Sequence, residues 1–417
     1  MRPRLSLIWL SLSVCAFFSI IGCATSFDTR PLEAVHFQER SQTQDDGRFR
    51  VTAAVLGAQE TEEVFGLPLY RKGIQPIWLE VENKDVNPTW FLPFSVDPDY
   101  FPPLEVTYPY HRAFSKEYND QIDQHFLELA MGMYVAPGSV RSGFVFTNLN
   151  LGTKSFNVDL VGDDNQPHTF TFFIPVPGMR SDHEDVDFDN LYAANEMISY
   201  NEAEFRKALE DLPCCTTDKD GTRQGKPINI VIVGDGLDML RILIRSGWNE
   251  TASANTSEFE KKDQSFNIPD KNRYQPLEPL FYFGRKQDAS FREPRAEGFE
   301  QNKLRIWLSP MKVEGQEVWL GQVSREYGKP SSGRVINRLD LDEVRNFFLQ
   351  NLWYAQGIKK YAFVHSPGAA APITAPKTTF RGTTYITDGY RAVVWLTRDP
   401  VTLSEVEVLD WDQPPGM

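Results

Sequence analysis

From residue 48 to about 177 apolar and polar positions alternate with the period of a strand. Phe49, Val51, Ala53 and Val55 form one such set, Ile77, Leu79 and Val81 a second, and Val140, Phe144 and Phe146 a third. Phe156, Val158 and Leu160, then Phe170, Phe172 and Ile174, complete the series, and period two places each set on one face of a sheet. Turn signals at Pro137-Gly138, Leu151-Gly152 and Gly162-Asp163-Asp164-Asn165 separate the last runs. The pattern predicts an immunoglobulin-like β-sandwich over 48–177. One stretch departs from it: Phe114, Tyr118, Ile122, Phe126 and Leu129 recur every three or four residues and predict an amphipathic helix over 112–130. His125 lies beside that stripe without a second histidine nearby, which reads as a satisfied residue and not a metal ligand.

Beyond the sandwich the period changes. Residues 178–200 contain the run SDHEDVDFD and read as an acidic interdomain linker. Asp185, Asp187, Asp189 and Glu196 match the acidic positions of a calcium loop, with Asn190 where glycine is usual. No helix precedes them, so a solvated linker running into a helix is the better reading. A helix over 201–212 ends at Pro213. The clearest unit follows at 227–248: the β-branched run Ile228, Ile230, Val231, Ile232, Val233, then a helix with Asp235 or Asp238 as cap, Leu237, Leu240, Leu243 and Ile244 at helical spacing, and Gly247 at its end. Strands are predicted at 280–283, 304–308, 318–323, 335–339, 361–364 and 392–396, and a helix at 340–354. The polar stretch 249–273 reads as a surface insertion, and 366–379, rich in Ala, Pro and Thr, as a flap. Residues 201–417 thus read as an α/β (α+β) domain with a mixed sheet.

The first 22 residues are an address. Arg2 and Arg4 precede an apolar run from residue 5 to 21, as in a signal peptide, and Ile20-Ile21-Gly22-Cys23 resembles the bacterial lipobox. Cys23 would become the first residue of the mature chain, carrying diacylglycerol and palmitate, and residues 23–47 would tether lipid to fold. Ala24, in place of aspartate, favours the outer over the inner membrane, with the protein facing the periplasm. Cleavage removes Arg2 and Arg4, so the net charge of -14 becomes -16. That sign disfavours nucleic acid as a partner, while each buried acyl methylene contributes about 0.8 kcal/mol to anchoring at a membrane. The expected partners are the membrane itself and an envelope protein or lipid.

With Cys15 in the signal and Cys23 lipidated, Cys214 and Cys215 remain. Adjacent Cα atoms are about 3.8 Å apart, below the usual disulfide range of about 4.4–6.8 Å, so a vicinal disulfide and a pair of buried thiols both stay open. No catalytic motif emerges. Gly234-Asp235-Gly236 begins a dinucleotide fingerprint, but Met239 takes the third glycine's place and Asp235 would oppose a phosphate. No G-x-S-x-G occurs, and His365 is the second domain's one histidine, next to Ser366. The sequence calls for no cofactor and no metal. What remains is Arg285, Asp288, Arg305, Asp388 and Arg391 at strand ends. These read either as structural arginine-carboxylate locks or as one polar pocket for an anion or lipid head group.

Leu212-Pro213-Cys214-Cys215-Thr216-Thr217, Lys226-Pro227-Ile228-Asn229 with VIVGD, Ser246-Gly247-Trp248, Phe283-Gly284-Arg285-Lys286-Gln287-Asp288, Leu304-Arg305-Ile306-Trp307, Val318-Trp319-Leu320-Gly321 and Thr387-Asp388-Gly389-Tyr390-Arg391 together resemble the LssY C-terminal domain over 211–396. The resemblance implies a domain similar to tails that follow membrane phosphatase-like or transporter-like regions, with no firm activity. Relatives carry paired histidines in the region matching 336–340, where this chain has Asn337-Arg338-Leu339. The expectation is a non-catalytic binding or scaffold lipoprotein of the cell envelope; the alternative is a hydrolase of envelope lipids or phosphoesters using carboxylates and arginines.

Overall fold

The computed structural model describes residues 27–162, 166–253, 271–295, 300–327 and 338–415. The N-terminal strands are β1 (Gln42–Asp45), β2 (Phe49–Val55), β3 (Ile74–Asn83), β4 (Thr89–Leu92), β5 (Tyr134–Val135), β6 (Val140–Asn148), β7 (Thr153–Val161) and β8 (Pro167–Pro175). They form two antiparallel sheets, ordered β1-β2-β3-β6 and β5-β4-β7-β8. Val51, Ala53, Ile77 and Leu79 of the first meet Phe91, Val158, Leu160 and Phe172 of the second in one core, so the alternation makes a sandwich. The first sheet is buried on its outer face too. Ala54, Trp78, Phe144 and Phe146 pack there against α1 (Ala58–Phe65), α2 (Pro103–Thr107) and α3 (Lys116–Leu129) through Phe65, Val106, Ile122 and Phe126. Helix α3 starts later than its apolar stripe because Ser115 caps it, accepting from Tyr118 N at 3.3 Å. His125 is satisfied by the Val64 carbonyl at 2.9 Å.

Two expected spacers are parts of the fold. Residues 27–47 are not a free tether: Phe37 is fully buried among Trp78 and Phe144, and β1 extends the first sheet. The polar residues that suggested a tether act as donors, with Gln42 and Gln44 side chains bonding the Phe173 and Thr171 carbonyls at 2.8 and 2.6 Å across the sandwich edge. Likewise 178–200 is not solvated along its length. Met179, Ser181 and Asp182 are buried, and β9 (Ile198–Tyr200) joins the C-terminal sheet beside residues 311–313. The calcium-loop acids serve local bonds: Asp185 accepts from Ser253 and pairs with Arg180, both at 2.7 Å, Asp187 accepts from Asn190 at 2.8 Å, and Glu196 from Ala193 N at 2.7 Å.

The C-terminal domain adds α4 (Glu202–Asp211), β10 (Cys215–Thr217), β11 (Gln224–Pro227), β12 (Ile230–Val233), α5 (Gly236–Arg245), β13 (Asn249–Glu250), β14 (Phe281–Tyr282), β15 (Arg285–Lys286), β16 (Ala289–Pro294), β17 (Glu300–Val313) and β18 (Gln316–Tyr327). It continues with β19 (Arg338–Asp340), α6 (Leu341–Tyr354), β20 (Ile358–His365), β21 (Lys377–Thr378), β22 (Thr384–Ile386), β23 (Tyr390–Leu396) and β24 (Glu407–Val408). Its main sheet is mixed and nine-stranded, ordered β13-β16-β17-β18-β12-β23-β20-β24, with β9 on β17; β12 runs parallel to β23 and antiparallel to β18. Both faces are covered, which is why β12 is apolar throughout. On one face Ile230, Ile232, Leu304, Ile306 and Val394 pack under α5 and α6. On the other Val231, Trp307, Leu320 and Trp395 pack under Phe205 and Leu209 of α4. Residues 366–379 are not a flap, since Ala371 is fully buried, exchanges two backbone bonds of 2.9 Å with Thr387, and β21 pairs with β22.

Glu250 joins the two domains. Its nearly fully buried carboxylate accepts from Thr153 N of β7 at 2.7 Å and from Ser181 Oγ at 3.3 Å, and Leu149, Leu151, Met179, Ala252 and Tyr274 make an apolar cluster beside it. Glu250→Ala strands those donors away from water, which costs about 1–3 kcal/mol. Denaturant unfolding is expected to show that loss, with faster proteolytic cleavage within 178–200; an unchanged midpoint and cleavage rate would place the docking elsewhere.

Candidate functional site

The five residues expected at one polar pocket are divided among separate regions. Arg391, fully buried, donates to the carbonyls of Leu209, Leu212 (3.3 Å) and Pro213 (2.9 Å) at the end of α4, and to Ile228 O (3.3 Å). It serves there as the helix's C-terminal cation, and burial lowers its pKa to about 10. Asp388 receives both Nη atoms of buried Arg345, at 2.7 and 3.0 Å. Arg285 pairs with Asp288 and donates to Tyr192 Oη at 2.8 Å, while Asp288 accepts from Leu308 N at 2.6 Å. These are locks of strand to loop, so the single-pocket expectation is corrected to the structural reading. Only Arg305 stands apart, with no carboxylate partner among the described residues. Cys214 and Cys215 form a disulfide, and Cys23 lies outside the described residues.

Around Arg305 the sheet does something unexpected. On the face where Trp307 and Leu320 sit under α4, the next residues along β17 and β18 are Arg305, Lys303 and Gln301, and Gln322, Ser324 and Glu326. Side chains at i and i+2 share a face, and β16 contributes Ser290 and Arg292. The register sets them in rows. Ser290, Arg305 and Gln322 lie across from one another, and so do Arg292, Lys303 and Ser324. Lys226 of β11 reaches the second row, its Nζ 2.9 Å from Ser324 Oγ. Four cations therefore share a small area from which Arg292 and Arg305 are nearly excluded from solvent.

Among the described residues, Arg305 and Arg292 bond to neutral groups. Arg305 Nε and Nη2 donate to the Glu278 carbonyl at 3.2 and 3.1 Å. Arg292 donates to the Gln275 and Pro276 carbonyls at 2.9 and 3.2 Å and to Gln301. Glu326, over half exposed, pairs with Lys303. The Glu278 carboxylate is engaged by Arg381, and buried Asp182 accepts from Ser290 of the first row, pairs with Lys286 and attracts Arg305. Gln322 is fully buried and its Oε1 has no partner among the described residues. The consequence is electrostatic. Burial, then repulsion from Arg305 and Lys303, pushes the Lys226 amine down to about 7. Burial and Arg292 push Arg305 down to about 10, and burial lowers Lys303 despite Glu326. For Glu326 burial acts upward, but its bond to Lys303 brings it below the usual carboxylate range. The cluster can do two things: receive an anion, or offer the near-neutral Lys226 as a base to Ser324.

Three recesses lie away from the cluster. Cavities of about 640 and 650 Å³ flank the contact of α5 with β7 and β8 and share Arg245. A recess of about 400 Å³ lies at the C-terminal ends of β12 and β23, where switch-point ligands bind in open α/β sheets. There the Asp235 carboxylate caps α5, accepting from Leu237 N at 2.9 Å and Asp238 N at 3.2 Å, in the place a phosphate would need. No group of three or more metal-ligating side chains occurs among the described residues.

Apart from Arg305, nothing local in the sequence marks the cluster. Lys303 and Arg305 occupy alternate positions of a strand and look like a solvent face, and Lys226 sits in a Gly-Lys-Pro strand too short to recognise. The available signal is that polar alternation in a strand whose neighbours are apolar on both faces demands buried charge. Residues 206–390 match the family described as LssY C-terminus, and all four cations fall within that span. No curated protein matches the chain.

The depressed Lys226 has a signed consequence. In the unfolded chain lysine holds its proton up to about 10.4, so between about 7 and 10.4 the unfolded state binds more protons and native stability rises with pH. Lys226→Met removes that slope and stabilises the ligand-free protein at pH 7 by about 1 kcal/mol or more. Thermal unfolding of both proteins from pH 7 to 10 checks this; a constant difference between them would contradict it.

Proposed function

We propose that this protein is a lipid-anchored module of the cell envelope that binds an anionic ligand through Lys226, Arg292, Lys303 and Arg305 without transforming it. The observation that supports it is the crowding of four cations on a buried face of the sheet, where Lys303 pairs with Glu326 and Arg305 has no carboxylate salt-bridge partner among the described residues. Buried charge is retained where something compensates it, and in a chain of net charge -14 a cationic cluster selects its ligand locally against the general field. The lipobox-like segment and Cys23 support a membrane tether facing the periplasm, with the outer membrane as first choice. The folded segment from residue 27 would then follow the acylated cysteine after only a few residues. Fractionation tests the anchor: the native protein is expected in membranes and Cys23→Ser in the soluble fraction, and retention of the variant would contradict lipidation. Unfolding temperature in the presence of multivalent anions tests the site; no shift at millimolar concentrations would contradict binding.

A second reading has one observation behind it. Lys226 Nζ lies 2.9 Å from Ser324 Oγ, the relation of base to nucleophile in serine-lysine hydrolases, and a pKa of about 7 suits a general base at neutral pH. Turnover of acyl or phosphoryl esters, with active-serine probe labelling lost in Ser324→Ala, would favour hydrolysis over binding.

A further inference from the structure

We propose that the recess of about 400 Å³ at the end of the main sheet is a second binding site, and that it takes an acidic amino acid with its ammonium at the centre and its two carboxylates toward the flanks. The recess shares no residue with the cationic cluster, and neither site depends on the other.

Strand order sets the arrangement. β17, β18, β12, β23 and β20 are successive neighbours in the sheet, and at this end they bring to the recess, in that order, Lys312, Glu317, Asp235, Arg398 and Lys359. Two carboxylates in the middle are therefore flanked by cations on both sides, at strand spacings of about 4.8 Å. Asp238 also lines the recess, but Arg241 pairs with it at 3.3 Å. Nearby, Lys360 is held by Glu202 and Glu314 at 3.0 and 3.4 Å, and exposed Asp399 follows Arg398 in the chain.

Opposite charges facing each other across strands ordinarily close on one another. Here they stay apart. Lys312 stands opposite Glu317 in register, yet neither of them, nor Lys359 nor Arg398, forms an ion pair among the described residues. The backbone is irregular at both lysines. β17 shifts register between Leu308 and Lys312, and Lys359 is the extra residue of a bulge in β20, where Ile358 pairs with Leu396 and Lys360 with Trp395. Bulges re-aim side chains and recur beside functional sites.

Charges held apart in this order select a ligand of the opposite order. A phosphate is opposed by Asp235 and Glu317, whose crowding shows in Glu317: burial, then the Asp235 charge, raises its carboxyl above the ordinary range. A simple amine leaves the three cations unanswered. An ammonium between two carboxylates answers all five groups. Gln316, also in the wall, has a buried Oε1 without a partner among the described residues, a further acceptor for an ammonium with three N–H donors. The volume lies toward the small end of ligand pockets, about 300–1,000 Å³, and suits a single amino acid.

Calorimetric titration of the full-length protein in neutral detergent, at pH 7.5 and fixed ionic strength, tests this with glutamate, aspartate, glutamine, glutarate and N-acetylglutamate. Glutamate or aspartate is expected to bind at millimolar concentration or below. Glutamine lacks one carboxylate, and glutarate and N-acetylglutamate lack the ammonium, so each should bind about tenfold or more weaker through loss of one charge-assisted bond. Lys359→Met and Glu317→Gln should each weaken glutamate by about the same factor. Glu317→Gln should leave glutarate no weaker, because the lost carboxylate serves only the ammonium, and that comparison stands if Lys359→Met fails to fold. Glutarate, N-acetylglutamate or glutamine binding as tightly as glutamate overturns the proposal. So does glutamate affinity unchanged in both variants, or no binding of either acidic amino acid.

Discussion

A sheet buried on both faces has no solvent side on which to leave charge, and the C-terminal domain is built under that constraint. Its centre obeys simply: β12 is apolar throughout, and its neighbours present Trp307, Leu320 and Trp395 to one layer and Ile306 and Val394 to the other. The long β17–β18 hairpin continues past that apolar region. Glu314 and Gly315 close it, both at positive φ, 52° and 78°, values that fit a two-residue turn matching the strands' twist. At its far end the face that buried tryptophan carries Arg305, Lys303 and Ser324. The local segment from Gln275 to Glu278 gives those cations carbonyl dipoles, which solvate charge without neutralising it. The electrostatic character of the candidate site follows from that arrangement.

Elsewhere the same chain manages buried arginine differently, and the contrast gives the cluster its meaning. Arg391 faces the last carbonyls of α4, where the helix dipole favours a cation. Arg345 lies under a bidentate bond to Asp388 and over the Phe363 ring, 5.2 Å from its centroid. Arg285 has Asp288. Each has a local structural answer, whereas Arg305, bonded to the Glu278 carbonyl, stands beside Arg292 as well as the carboxylates of Glu326 and Asp182.

Much of the architecture was legible because it rests on periodicity. The alternation at 49–55, 77–81 and 156–174 became the sandwich core, and the strand-turn-helix at 227–248 became β12 and α5 with Asp235 as cap. The helix at 340–354 begins at Leu341 under the Asp340 cap. Polar segments misled, because composition reports polarity and not its use. Gln42 and Gln44 are donors across a sandwich edge, and Ser181 with Glu184 forms a capping box in the supposed linker. The site was legible least. Arg305 stood out in sequence, but its companions come from β11 and β16, and only strand register brings Lys226 and Arg292 to it. Arg391 and Asp388 resembled site residues because an arginine that binds a ligand and one that caps a helix look alike in one dimension.

The central claim is that cations crowd one another on a buried face, and the Lys226 amine reports it most directly. Heteronuclear NMR of the lysine side chains in the ligand-free protein, assigned with Lys226→Met, follows that amine through its titration. The account predicts a midpoint near 7. A midpoint above 10, the ordinary range for lysine, would contradict it.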